Sequence, residues 1–152
     1  PEPLADLQRL QREFPPDGAG KHNGELLLIG RRHVRSNNSW MHNFHRLVKG
    51  RDRCSLLMHP KDMQTRDIGD GDEVRVSSRT GELQVAVEAC EDVMPGVVSL
   101  PHGYGHHREG IRMEIASRRA GVSCNDITDE QALDALSGNA AVNGVPVQVA
   151  TV

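Results

Sequence analysis

The stretch Ile68-Gly69-Asp70-Gly71-Asp72-Glu73-Val74-Arg75-Val76-Ser77, continued by Ser78-Arg79-Thr80-Gly81-Glu82-Leu83-Gln84-Val85-Ala86-Val87-Glu88, decides the fold class. Its glycines and aspartates make a tight turn, after which Val74 and Val76 alternate with Glu73, Arg75 and Ser77. Beyond Thr80-Gly81, Leu83, Val85 and Val87 alternate with Gln84 and Glu88. A period of two on both sides of a turn describes a hairpin with one apolar face.

Working outward, Leu26-Leu27-Leu28-Ile29 is a continuous apolar run closed by Gly30, as in a buried strand. A second run, Cys54 to Met58, ends at His59-Pro60, and the proline suits the start of a short helix over about Pro60 to Asp67. Pro95-Gly96 precedes a strand over Val97–Leu100. Asn143-Gly144 turns the chain into a last strand in which Val145, Val147 and Val149 alternate. Thr128 and Gln131 have capping-box spacing, so a short helix is expected there with Ala132, Leu133 and Leu136 on its buried side. Near the start, Leu4, Leu7, Leu10 and Phe14 sit at helical spacing and Pro15-Pro16 stops the pattern, giving an amphipathic arm over residues 3–14. The expected organisation is an arm and linker over 1–24 and one domain over 25–152. Short strands with two or three short helices fit a small closed barrel better than a sandwich, because closure removes exposed edges. The fold class is therefore mainly β with short helices.

The formal net charge of -3 supplies no global attraction to nucleic acid or to an anionic membrane. One Trp, one Tyr and two Phe cannot build a base-stacking platform, so neither nucleic acid nor membrane is expected as a partner. Neither a membrane-length apolar run nor a signal peptide is seen, and Pro1 in place of a methionine suggests an excised fragment or a processed chain. Cys54, Cys90 and Cys124 lie far apart with no C-x-x-C pair. They read as thiols of a reducing cytoplasm, the expected location.

Three segments could carry chemistry. Arg35-Ser36-Asn37-Asn38-Ser39-Trp40-Met41-His42-Asn43 gathers amide, hydroxyl and indole groups able to read the edges of a heteroaromatic ring; Asn and Ser capping their own backbone in a turn is the plainer alternative. Between Arg31 and Arg53 lie six arginines and one lysine, with Asp52 the only acid. Such forks suit diphosphate oxygens, and equally a solvated face or an acidic neighbouring domain. His102-Gly103-Tyr104-Gly105-His106-His107 combines imidazoles with glycines that let backbone approach a ligand closely. Its histidines, like the His42 and His45 pair, lack matching carboxylate or Cys ligands, so they should form hydrogen bonds and hold no metal. No nucleophile–base arrangement or phosphate loop stands out.

Taken in order, these segments, with Pro95-Gly96-Val97-Val98 and Cys124-Asn125-Asp126-Ile127-Thr128, resemble a known family over about Glu25 to Val152. It is the molybdopterin-dinucleotide-binding domain that ends the large subunits of the dimethyl-sulfoxide-reductase family, formate dehydrogenases and nitrate reductases included. The resemblance implies a double-psi β-barrel of the aspartate-decarboxylase-like type. It also implies a bis(molybdopterin guanine dinucleotide) cofactor, with Mo or W, held in a larger parent enzyme and absent from the isolated domain. The parent's other domains would be the protein partners, supplying the metal ligand and any iron–sulfur cluster, and this chain alone would be inactive. By the same resemblance Arg35, Ser36, Asn37, Asn38, Ser39, Trp40, His42 and Asn43 reach the pterin and its phosphate tail, together with His102, Gly103, Tyr104, Gly105, His106 and Asn125. Arg31 and Arg32 are weaker candidates. A freestanding β-barrel module binding a nucleotide or protein partner is the alternative from another class. If one cofactor is served, both loops must lie on the same side of the barrel with Asn125 near them.

Overall fold

A computed structural model describes residues 2–13 and 25–152. The elements run α1 (Glu2–Glu13), β1 (Leu26–Arg31), α2 (His45–Val48), β2 (Leu56–Met58), α3 (Pro60–Gln64), β3 (Glu73–Ser77), β4 (Glu82–Ala89), β5 (Val97–Pro101), α4 (Glu114–Ser117), a 3-10 turn at Cys124–Asp126 and β6 (Val145–Thr151). The six strands close into a barrel in the order β1-β5-β2-β4-β3-β6. Pairs β1/β5 and β2/β4 are parallel and the other described pairs antiparallel. This crossed topology is a double-psi β-barrel.

Period-two alternation does what the sequence demands. Val74 and Val76 of β3, Leu83, Val85 and Val87 of β4, and Val145, Val147 and Val149 of β6 all point into the core, where they meet Leu26, Leu28, Leu56, Met58, Val98 and Leu100. Each such side chain contributes about 1.5–3 kcal/mol by leaving water, so the barrel has a core of its own. Helix α3 is set by His59, whose Nδ1 accepts the Lys61 backbone N–H, and by Pro60 at its first position. It ends at Gln64 and not at Asp67, which takes a left-handed φ of 55°.

A further expectation needs correction. Residues 128–136 form turns and an isolated Leu133–Ala140 bridge, without a helix, and Leu133 and Leu136 are exposed. The reason is local competition for the backbone. Thr128 Oγ1 donates to the Asn125 carbonyl, Asp129 Oδ1 accepts from Gln131 N, and Asp134 Oδ1 accepts from Ser137 N. An outside ion pair completes the effect, because Arg79 grips Asp129 and Glu130. Over the arm α1 forms, and Leu4, Leu7 and Leu10 are exposed on it, so this apolar stripe finds no core among the described residues. Phe14, the Pro15-Pro16 stop and the Lys21–Gly24 link lie outside the described residues. No helix among the described residues is long and apolar enough to cross a membrane.

Candidate functional site

The parallel register of β1 and β5 sets Arg31 opposite Pro101, so the two loops that follow leave the barrel at the same end. They also touch. His42 Nδ1 lies 2.8 Å from His106 Nε2, both rings are buried, and Tyr104 packs on His42 with ring centroids 4.3 Å apart. Gly103 faces the backbone of Asn38 and Ser39 so closely that a Cβ would stand 2.9 Å from Ser39 N. Strand ends alone would gather the loops; the structure adds direct contact between them.

Within the first loop the residues divide. Ser36 is buried and its hydroxyl donates to the His33 carbonyl, the plain capping role of a turn serine. Asn43 Oδ1 accepts from the N–H groups of Ile115 and Ala116 and so holds the start of α4. Asn37 and Asn38 adopt left-handed φ of 42° and 61°, which asparagine tolerates, and their exposed side chains form no hydrogen bond among the described residues. Trp40 is 78% exposed, far more than an indole in a finished core. Ser39 is half-buried with its carbonyl accepting from His42 N, and the Arg35 side chain is exposed.

In the second loop His102 is half-buried with Nδ1 3.4 Å from Cys124 Sγ, and Cys124 adjoins the exposed Asn125. Asn125 is thereby brought to the His102 side, as a shared site requires. Gly105 has φ of 103°, and with His106 it donates its N–H to the Ala120 carbonyl, which ties the loop to the segment leading to Asn125. Burial lowers the His102 pKa first and nearby Arg32 second. For His42 burial again leads, followed by repulsion from His106 and opposed by the Gly103 backbone; burial alone lowers His106.

The basic cluster is only partly free. Arg31 donates to the Ser99 carbonyl and, at 2.6 Å, to the Ser55 carbonyl, so its guanidinium is spent on the barrel wall. Arg51 pairs with Glu88. Arg32, Arg35 and Arg53 form no ion pair among the described residues. His33 nonetheless senses the cluster: burial and then Arg53, Arg35, Arg31 and Arg51 depress its pKa. Three contributors were not foreseen. Asn143 Oδ1 accepts from Gly30 N at the end of β1, signalled in sequence only as a turn residue. Arg119 binds the carbonyls of Val48 and Gly50, and Ser55 Oγ donates to Glu88. Neither periodicity nor motif marks these last two. No cluster of His, Cys, Asp or Glu among the described residues could hold a metal ion.

A closed six-stranded barrel whose parallel strand ends present two interlocked polar loops defines a double-psi ligand-binding domain. Residues 26–146 match the Molydopterin dinucleotide binding domain, and the chain belongs to that family. It is 28% identical over 111 residues to a tetrathionate reductase polypeptide of Salmonella typhimurium, covering 62% of this chain and 11% of that protein. It is 32% identical over 102 residues to the dimethyl sulfoxide/trimethylamine N-oxide reductase of Rhodobacter capsulatus, covering 67% of this chain and 11% of that protein. The molybdopterin-containing polypeptide of the arsenate respiratory reductase of Chrysiogenes arsenatis is 32% identical over 114 residues, covering 72% and 13%. Among solved structures, acetylene hydratase from Pelobacter acetylenicus superposes with a TM-score of 0.63 at 19% identity, covering 95% of this chain and 19% of that one, which supports the fold. The chain thus spans about a tenth of the length of the curated relatives it matches.

The exposed heads fit such a cofactor. The side chains of Asn37, Asn38 and Trp40 offer donor, acceptor and flat apolar surface with no hydrogen-bond partner among the described residues, and Gly103 makes room for the Asn38–Ser39 backbone that carries them.

Proposed function

We propose that this chain seats the pterin and phosphate tail of a bis(molybdopterin guanine dinucleotide) cofactor carrying Mo or W, as the carboxy-terminal domain of a larger oxidoreductase polypeptide. The observation that supports the reading is that the loop bearing the exposed Asn37, Asn38 and Trp40 meets the Gly103 turn, next to His102, whose ring contacts Cys124 beside Asn125. On this reading the cofactor supplies the redox chemistry and this chain supplies binding and orientation. Asn37 and Asn38 read pterin or guanine edges, Trp40 covers a ring face, and Arg32, Arg35 and Arg53 face the phosphate charge. His42, Ser36, Asn43, Gly103, Tyr104, Gly105 and His106 shape the loops that present them. The parent's remaining domains pack around this face, and the three free thiols favour the cytoplasm as the working compartment.

The test is Asn38→Ala and His102→Ala in the full parent, read as pterin and metal content per polypeptide. Each truncation leaves a cofactor polar group unpaired, a loss of about 1–3 kcal/mol. Cofactor content should fall while the fold persists by circular dichroism; equal content in variants and wild type would refute the reading. The isolated chain should show no turnover with formate, nitrate or sulfoxides.

A further inference from the structure

The bond between His42 and His106 joins loops 64 residues apart and does so with two buried rings. At 2.8 Å, one nitrogen must donate and the other accept, so at least one ring must be neutral there. Two protonated rings would set N–H against N–H. The groups facing the pair do not relieve that conflict. Tyr104 packs on both rings, and the adjoining cleft is walled by His33, Arg35, Arg51, Asp52, Arg53 and Arg119 around about 20 Å³ of free interior. Asp52 is the only acid in that wall, and its Oδ1 already accepts the Cys54 N–H. Behind the second loop, Arg108 is paired with Asp126 and the Ala120 carbonyl takes the His106 backbone N–H. His42 Nε2 is buried without a hydrogen-bond partner among the described residues, and the Gly103 backbone, which favours a second proton on the ring, is outweighed by burial and by His106.

We propose that the His42–His106 hydrogen bond is a proton-sensitive latch: it holds the Asn37–Trp40 face against the Gly103 turn while one ring is neutral, and it opens when both rings are protonated. His42 and His106 are then positioning residues, with Asn37, Asn38 and Trp40 doing the contacting. The consequence for cofactor retention rests on the function proposed above; the latch itself does not. Because both rings are held below the ordinary histidine value, acidification must pass that value before the second proton enters. The first amides to loosen are those of His42 and Gly105 in the two loops, which donate to the Ser39 and Ala120 carbonyls.

The cofactor-free 152-residue chain provides the test. Histidine ring nitrogens and amide exchange, corrected for intrinsic rates, are followed by NMR between about pH 7.5 and about pH 5. Exchange at His42 and Gly105 should rise at least about tenfold with the titration of the two rings, while Val74 to Val76 stay protected. His106→Gln keeps a hydrogen-bonding group that cannot titrate, and it should abolish the rise. Should that variant not fold, the wild-type ring titration decides by itself. Loop amides that stay protected as both rings titrate would overturn the latch, as would loosening that persists in His106→Gln or that coincides with loss of barrel protection. A failed latch leaves the Asn38→Ala result on cofactor content untouched, so the two readings fail separately.

Discussion

Arg31 and Pro101 stand opposite one another in parallel register at the ends of β1 and β5. Two strands that run the same way must release their following loops at the same end of the barrel, however far apart those loops are in sequence. The site is therefore a product of topology before it is a product of side chains. Arg31 reinforces this end by reaching across β5 to the Ser55 segment before β2, where Ser55 Oγ donates to Glu88 and Glu88 pairs with Arg51.

Arg31→Met should therefore act on stability and not on ligand contact. It leaves the carbonyls of buried Ser99 and half-buried Ser55 without the guanidinium donor, which costs about 1–3 kcal/mol. Urea unfolding should show a lower midpoint with an unchanged slope, and Arg31→Lys should recover only part of the loss. An unchanged midpoint in Arg31→Met would remove the guanidinium from the wall.

Stability should fall as the pH drops below the ordinary histidine value near 6.5. Burial depresses His42, His102 and His106, with His106 repelling His42 and Arg32 repelling His102, so the folded state binds protons less readily than the unfolded chain. By linkage this contribution is fully present above the unfolded value and is lost as the pH falls toward the folded values. Thermal unfolding between about pH 8 and about pH 5 should show the Tm falling on the acid side, less steeply when His42 and His106 are both glutamine. A Tm that rises on acidification across that range would contradict the sign.

The barrel was legible in the sequence because its signal is local. Val74, Val76, Leu83, Val85 and Val87 carry period-two alternation, and the same residues line the core. The two loops were legible as polar, glycine-containing stretches, and their common side followed from the family resemblance. Their internal division was not. Ser36 and Asn43 look like Asn38 in sequence, yet one hydroxyl is consumed by the His33 carbonyl and one amide by the start of α4, 72 residues away. Partners at that separation leave no local trace. The failed helix over 128–136 shows the same limit, since the ion pair that pins Asp129 comes from Arg79, 50 residues earlier.

Of the three thiols, Cys90 should be alkylated first by iodoacetamide at about pH 8. Cys54 is half-buried, and burial pushes it up to about 11, with the Val122 backbone opposing. Burial also raises Cys124, which is itself buried against His102. Cys90, beyond β4, is half-buried like Cys54, but its thiol forms no hydrogen bond among the described residues, whereas Cys54 Sγ is bonded to Val122. Mass spectrometry of a timed reaction should place the first label there, and equal labelling of all three in the folded chain would show that burial does not control access.

Gly103→Ala separates backbone strain from loop contact, provided it is compared with Gly110→Ala. Both glycines take positive φ, 94° and 87°, so both substitutions pay the cost of a left-handed backbone, about 1–3 kcal/mol. They differ in what a Cβ would meet. At Gly110 nothing stands within 4 Å, whereas at Gly103 the methyl would press on the Asn38 carbonyl and stand 2.9 Å from Ser39 N. Those neighbours are backbone and cannot swing aside as a flexible side chain would, so the first loop itself must shift. The barrel core is remote from the contact, and both variants should retain protected amides at Val74 to Val76. Only Gly103→Ala should expose the His42 amide, which donates to the Ser39 carbonyl, to faster exchange, weaken the His42–His106 bond, and lower pterin content in the parent. If Gly110→Ala lowers pterin content as much, loss of backbone geometry and not displacement of the Asn38 face is responsible, and the contact between the loops has no part in presenting it.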